Sequence, residues 1–331
     1  MKLKDIAEAA GVSTATVSRV LGNKPNVRPE LRKQVMDVVE RLNYRPNRAA
    51  QRLRSKQSSF IGLIVADIQS PFFASVTRAV EDVAQANDYS VILCNTDEDP
   101  AKEQMYLEMM QSENAAGVIL APTLSLSEHF AVKKFGSFPM VVIDRLVSDY
   151  SVDMVLIDNN QAAQDLTKHM LSHGYKRIVG LFGESSATGQ QRRAGFEHVM
   201  KKAGLPVDEK MIISMPAKEE AAHEVVSRLL EMDEPPEAVI TSNGLLGAGA
   251  FRAIRDKELP VPESVAFASF DETPWSSMTR PAITVVKQPT YSIGQTACEM
   301  LLKRIVDPER PTRKVVLESK LVVRQSCGGI L

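Results

Sequence analysis

Catalytic chemistry has little to work with in this chain. Its five histidines, His129, His169, His173, His198 and His223, are scattered and stand beside no evident nucleophile. No GxSxG, Walker phosphate loop or HExxH signature occurs. Cys94, Cys298 and Cys327 are odd in number and widely spaced, with no paired metal-ligand pattern. They read as reduced thiols filling a core, so neither an enzyme nor a cofactor or metal is expected. What residue spacing does offer is a binding surface. In "GVSTATVSRVLG", residues 11–22, positions 14 and 18 stack on a helix, as do 15 and 19. Thr14, Ala15, Ser18 and Arg19 therefore share one face, and Val17, Val20 and Leu21 take the other. Arg19 can fork onto a guanine edge, and Thr14 or Ala15 can pack on a thymine methyl group. The hydroxyls of Ser13, Thr16 and Ser18 suit phosphates, contacts that position a protein without reading sequence. The alternative is a plain surface helix in a small bundle.

The elements around that face favour DNA. "LKDIAEAAG" has helical apolar spacing and then Gly11, a natural left-handed stop. Ser13 is an N-cap candidate for the next helix, and a third helix opens near Pro29. Leu31, Val35, Val38, Val39 and Leu42 give that helix its inward face. Three short helices with Gly at the first turn fit a helix-turn-helix module. Charge agrees: residues 1–58 hold 13 Lys or Arg against 5 Asp or Glu, net +8, although the whole chain is at −1. A basic module on an acidic body points to nucleic acid or another anionic partner.

From Phe60 onward the pattern changes. "FIGLIVAD", "YSVILCNT", "AGVILAP", "PMVVID", "KRIVGLFG", "EAVITS" and "ESVAFASFD" are short apolar runs alternating with helical segments. Runs of this kind predict strands buried on both faces of parallel α/β sheets, here in two doubly wound halves. Ligands of such sheets bind beyond the carboxyl ends of the strands. Ser70–Phe73, Asp144–Arg145, Glu184–Arg192, Ser242–Asn243 and the residues from Asp271 onward stand at those ends. No apolar run reaches membrane-spanning length, and "MKLKDIAEAA" lacks a signal peptide's apolar stretch, so a cytoplasmic protein without membrane contact is expected.

"KDIAEAAGVSTATVSRVLG" followed by "LNYRPNRAAQRLR" resembles the start of the LacI/GalR family of bacterial transcription regulators. The likeness runs on through "IGLIVADIQSPFFASVTRAVE", "GVILAP", "VVIDR", "GYKRIVGLFG", "RRAGF", "SFDE", "PAITVVKQP" and "IGQTACEMLLKRI". The resemblance implies an all-α helix-turn-helix headpiece over 1–45 and a hinge helix or linker over 46–58. It implies a periplasmic-binding-protein-like α/β core over 59–331, of two doubly wound parallel-sheet subdomains. Their expected extents are about 59–158 with 290–317, and about 159–289 with 318–331. By this likeness Thr14, Ala15 and Arg19 are specificity positions, and Asn26 and Arg28 join the DNA-facing set. Leu53 becomes the hinge side chain wedged into the minor groove, which kinks DNA by partly unstacking a base step. Arg28 departs from the small capping residue usual before the third helix.

The resemblance also implies an effector in the cleft between the subdomains, facing Phe72, Phe73, Asp144, Arg145, Thr188, Arg192, Asn243, Asp271 and Gln288. Ser186 and Ala217 depart from positions where relatives carry Arg or an aromatic wall. Trp275, the single tryptophan, is a candidate replacement wall or loop packing. A homodimeric repressor binding a palindromic operator under control of a sugar or sugar acid is expected, with dimer versus tetramer left open. A phosphorylated sugar, nucleobase or nucleoside effector stays open, as does a ligand-binding protein without a DNA role.

Overall fold

The computed structural model describes residues 3–21, 27–42, 59–124, 138–148, 151–207 and 210–328. The chain divides into two compact units, residues 1–57 and 58–331. Asn26, Leu53 and the expected hinge over 46–58 lie outside the described residues.

The first unit contains α1 (Leu3–Ala9), α2 (Thr14–Leu21) and α3 (Pro29–Arg41). α1 stops where Gly11 adopts φ 60°, a left-handed conformation that strains any residue with a Cβ. Ser13 then caps α2, its Oγ accepting from the Thr16 amide at 3.2 Å. Pro29 sits in the first turn of α3, and Arg28 before it makes no side-chain cap bond. Ile6, Ala7, Ala10, Val17, Val20, Val35 and Val38 close one small core. Gln34 of α3 donates to the Ala10 carbonyl at 2.9 Å and ties the third helix to the first turn.

The second unit is built on two sheets. The first takes β1 (Phe60–Val65), β2 (Ser90–Asn95), β3 (Val118–Leu120), β4 (Met140–Ile143), β5 (Asp153–Ile157) and β11 (Lys314–Leu317). The second takes β6 (Ile178–Gly183), β7 (Ile212–Met215), β8 (Ala238–Thr241), β9 (Ala266–Phe270), β10 (Thr284–Lys287) and β12 (Lys320–Val322). Their orders are β2-β1-β3-β4-β5-β11 and β7-β6-β8-β9-β10-β12, the same winding twice. All pairings are parallel except β12 against β10. The seven apolar runs of the sequence become strands. β5, β7, β10, β11 and β12 come in addition, four of them four or fewer residues long.

Strand alternation sends neighbouring residues to opposite faces, so each sheet acquires two apolar layers. Ile61, Leu63 and Val65 pack against α4 (Pro71–Ala86) and α10 (Thr290–Val306). Phe60 and Ile64 pack on the other side with Leu107 and Met110 of α5 (Pro100–Ser112). In the second sheet Val179 and Leu181 meet α8 (Glu219–Leu229) and α9 (Gly244–Asp256). Ile178 and Phe182 meet α6 (Asn159–Ser172) and α7 (Ala187–Lys202). One expectation fails at β2. It is an edge strand, not one buried on both faces, and Ile92 and Leu93 are 38% and 45% exposed.

The chain passes between the sheets three times, after β5, β10 and β11. Residues that follow the parallel strands of both sheets line one cleft, so both sheets turn those carboxyl ends toward it.

Candidate functional site

On α2, Thr14, Ala15, Ser18 and Arg19 are exposed while Val17 and Val20 are buried, so the polar face stands free of the headpiece core. Ser13 and Arg28 are also exposed, and Thr16 is half-buried, its Oγ1 2.9 Å from the Ser13 hydroxyl. No described partner engages Arg19, whose guanidinium remains available at the surface.

In the second unit, the loops that follow the strands converge on a cavity of about 390 Å³. Phe72 and Phe73 open α4 behind Pro71, and their rings meet edge to face at 5.0 Å. Asp144 follows β4 with φ 67°, and Asp271 follows β9 with φ 74°. A non-glycine residue in that region is strained, and both aspartates stand in the cavity wall. Asp271 is held from two sides: Gln288 Nε2 donates to Oδ1 at 2.7 Å, and the Gly244 amide donates to Oδ2 at 3.1 Å. Gly244 opens α9, and a Cβ there would lie 2.8 Å from the Thr273 methyl carbon, so no larger residue fits beside the aspartate.

The two buried arginines are held differently. Arg145 forms a two-pronged pair with Glu98, Nη1 donating to Oε2 at 2.7 Å and Nη2 to Oε1, and Nη1 also donates to the Pro122 carbonyl. Among the described residues its Nε has no hydrogen-bond partner, and it lies 3.5 Å from Asp144 Oδ2. Arg192 donates from Nε to Asn159 Oδ1 at 2.8 Å and from Nη1 to the Ser242 carbonyl. Its guanidinium lies over the Phe270 ring, 4.2 Å from the centroid. Burial raises the Asp144 pKa, with Arg145 and Arg192 opposing the rise.

Asn243 lines the cavity and caps α9 through Oδ1, which accepts from the Leu246 amide. Thr188 lines the cavity beside Ser186, whose Oγ caps α7 by accepting from the Gly189 amide at 3.1 Å. Ala217 lines it too, where its methyl offers no stacking surface. Across the mouth, Lys218 of the second subdomain reaches Asp67 of the first at 3.2 Å. The Gln288 Oε1 acceptor is buried and has no partner among the described residues.

Two family models match this chain. "Bacterial regulatory proteins, lacI family" covers residues 2–47, and "Periplasmic binding proteins and sugar binding domain of LacI family" covers residues 58–324. The chain belongs to the LacI family. Catabolite control protein A of Priestia megaterium is 34% identical over 97% of this chain and 98% of its own length. The ribose operon repressor of Halalkalibacterium halodurans is also 34% identical, over 99% and 97%. Among solved structures, the lac repressor dimer bound to operator and the anti-inducer ONPF superposes with a TM-score of 0.87. It covers 99% of both chains at 24% identity, a likeness of fold. The complex of the transcriptional regulator CelR with cellobiose gives 0.73 at 25% identity, over 98% of this chain and 99% of its own. As a LacI-family member this is a DNA-binding transcriptional regulator, and the curated relatives are named as regulators rather than enzymes.

The LacI-type cleft gathers nine of the ten effector candidates: Phe72, Phe73, Asp144, Arg145, Thr188, Arg192, Asn243, Asp271 and Gln288. Trp275 is the exception and requires correction. Its ring stacks on Phe251 at 6.1 Å and packs into the apolar cluster beneath α8 and α9, away from the cavity. An indole has a large apolar body to cover, and the turn after Asp271 leaves it half-buried against the edge of that cluster. Conversely, Asp67, Asp97, Glu98 and Lys218 line the cavity without having been singled out. Asp97 and Glu98 follow β2 directly, so the strand-end rule applied to "YSVILCNT" would have found them. Lys218 stands just as close behind β7, but that strand was not among the apolar runs, so the rule had no strand end to start from.

Proposed function

We propose that this regulator is a repressor that binds a pseudo-palindromic operator as a homodimer and is controlled by a neutral sugar in the core cleft. The observation that carries the DNA reading is the exposed face of α2. Thr14, Ala15 and Arg19 stand where a recognition helix presents base-reading side chains, and Ser13, Thr16, Ser18 and Arg28 are suited to phosphates. Asn26 and Leu53 complete the proposed DNA contacts from outside the described residues. The names of the relatives, a ribose operon repressor among them, support a repressor role. The absence of any helix long and apolar enough to cross a membrane among the described residues fits a cytoplasmic protein acting on DNA.

The effector class follows from charge and from unmet hydrogen bonds. Asp67, Asp97, Glu98, Asp144, Glu184 and Asp271 line the cavity against Arg145, Arg192 and Lys218. Arg145 is already paired with Glu98 and Lys218 with Asp67, so the net field opposes an anion. A polyhydroxylated neutral ligand both donates and accepts, and it would satisfy Gln288 Oε1 and Arg145 Nε. This favours a neutral sugar over a sugar acid or phosphorylated sugar, and Ala217 supplies no stacking wall on its side of the cavity.

Two measurements test the reading. Operator selected from a random-sequence pool should bind with an affinity that falls steeply with salt, and Arg19→Ala should relax preference at one position of each half-site. Thermal midpoints should rise with a neutral sugar and stay unchanged with its phosphorylated or carboxylate analogues. A midpoint raised only by the anionic analogues rejects the neutral-sugar assignment. Loss of duplex selectivity in wild-type protein rejects the operator reading.

A further inference from the structure

We propose that His169, His173 and Cys327 form a binding site for a thiophilic divalent cation, with Zn²⁺ the expected ion. Their ligand atoms lie within 4.8 Å of one another, and His169 Nε2 is 3.1 Å from Cys327 Sγ. The site is separate from the effector cleft. Asn159, which holds Arg192, begins α6, and His169 lies ten residues along the same helix, about 15 Å away at the α-helical rise.

The two histidines share one side of the last turn of α6 because they are four residues apart, with His173 as the C-cap. Their rings meet edge-on at 4.8 Å. Cys327 ends a 3₁₀ turn, Gln325–Cys327, that packs on β9 and β10, and Gly328 follows at φ 80°. Its sulfur is fixed: Thr284 Oγ1 lies 3.0 Å away, and Sγ donates to the Arg324 carbonyl at 3.3 Å. Bond lengths of about 2.0 Å to imidazole nitrogen and 2.3 Å to sulfur set tetrahedral ligand separations of about 3.5 Å. Half-buried His169 and buried Cys327 are already near that spacing. Closing the set requires a movement of about 1 Å, and the exposed His173 ring is the one able to supply it.

Two nitrogens and one sulfur select Zn²⁺ or Co²⁺ over the oxygen-seeking Mg²⁺ and Ca²⁺. The thiol gives its proton to solvent on binding, and water completes the fourth position. The ion would tie the C-terminal turn of the second subdomain to the end of α6. Sequence spacing hides this site, because Cys327 stands 154 residues after His173.

The test uses the full chain without an affinity tag, stripped by a chelator and then titrated with Co²⁺. One equivalent per chain should produce a sulfur-to-cobalt charge-transfer band with four-coordinate ligand-field bands, and Zn²⁺ should abolish both while raising the thermal midpoint. His173→Gln, an exposed change, should leave the metal-free midpoint unchanged and lose stoichiometric binding. Cys327→Ala should lose the charge-transfer band, and its fold is checked by circular dichroism because the residue is buried. No sulfur band in the wild type, or an undiminished titration in His173→Gln, overturns the proposal. So does a Zn²⁺-induced midpoint rise of equal size in that variant.

Discussion

Asp144 and Asp271 end their strands in left-handed backbone, a conformation that costs on the order of 1–3 kcal/mol for a residue with a side chain. Asp271 is kept there by its bonds to Gln288 and Gly244, so its carboxylate already points where a ligand would arrive. The thiols show the opposite use of burial. Desolvation pushes Cys94 up to about 11 and Cys298 up to about 12. Native protein at pH 8 is therefore expected to leave both unalkylated by iodoacetamide, with labelling only after denaturation, as read by intact-mass spectrometry. The folded state keeps these protons where the unfolded chain loses them. Stability contributed by the two thiols is thus complete below the ordinary thiol value of 9.0 and declines as pH rises above it. Urea midpoints measured between pH 8 and pH 10 should fall less in Cys298→Ala than in the wild type.

Two elements carry consequences that single residues do not. The edge strand β2 leaves Ile92 and Leu93 uncovered, and apolar side chains on an unpaired edge invite a second copy. If the proposed homodimer covers this edge, Leu93→Asp yields monomers by analytical ultracentrifugation and loses operator affinity while still binding effector. A variant that stays dimeric would place the interface elsewhere. In the second subdomain, α8 and α9 approach almost backbone to backbone. A Cβ at Gly249 would stand 2.0 Å from the Glu219 carbonyl oxygen. Gly249→Ala is expected to destabilise the core by about 3 kcal/mol, the upper range for overpacking, seen as a lower urea midpoint with unchanged slope.

At the scale of the whole core, the two subdomains are joined by three connections and face each other across the cleft. The Lys218–Asp67 pair is the contact that spans the mouth, and Lys218 is 55% exposed. Such a pair contributes no more than about 1 kcal/mol, so Lys218→Ala should weaken effector affinity by about two- to fivefold without altering the fold. Titration calorimetry measures the change, and an unaltered affinity would mean that the clasp does not favour the liganded arrangement. A cleft that differs in closure between two states is what couples a small molecule to DNA affinity, since an effector shifts an equilibrium only by binding its two arrangements unequally.

The amino-acid sequence by itself determined the architecture. Apolar runs without alternation, bounded by turn residues and alternating with helical segments, read as the strands of parallel sheets, six of the seven of them interior, and helical spacing around Gly11 and Pro29 permits little besides a three-helix module. The same reasoning located most of the cleft lining, because in a parallel sheet the ligand-facing loops follow the strands in the chain. Only the tertiary structure decided what depends on neighbours distant in the chain. β2 is exposed because of its place in the sheet order, and Trp275 turns inward because Phe251 waits beneath it. Glu98 matters because Arg145, 47 residues later, folds onto it, and Lys218 because Asp67 lies across the cleft. Local spacing records periodicity and turn chemistry, whereas pairing through space is fixed only when the sheets stack and the subdomains meet.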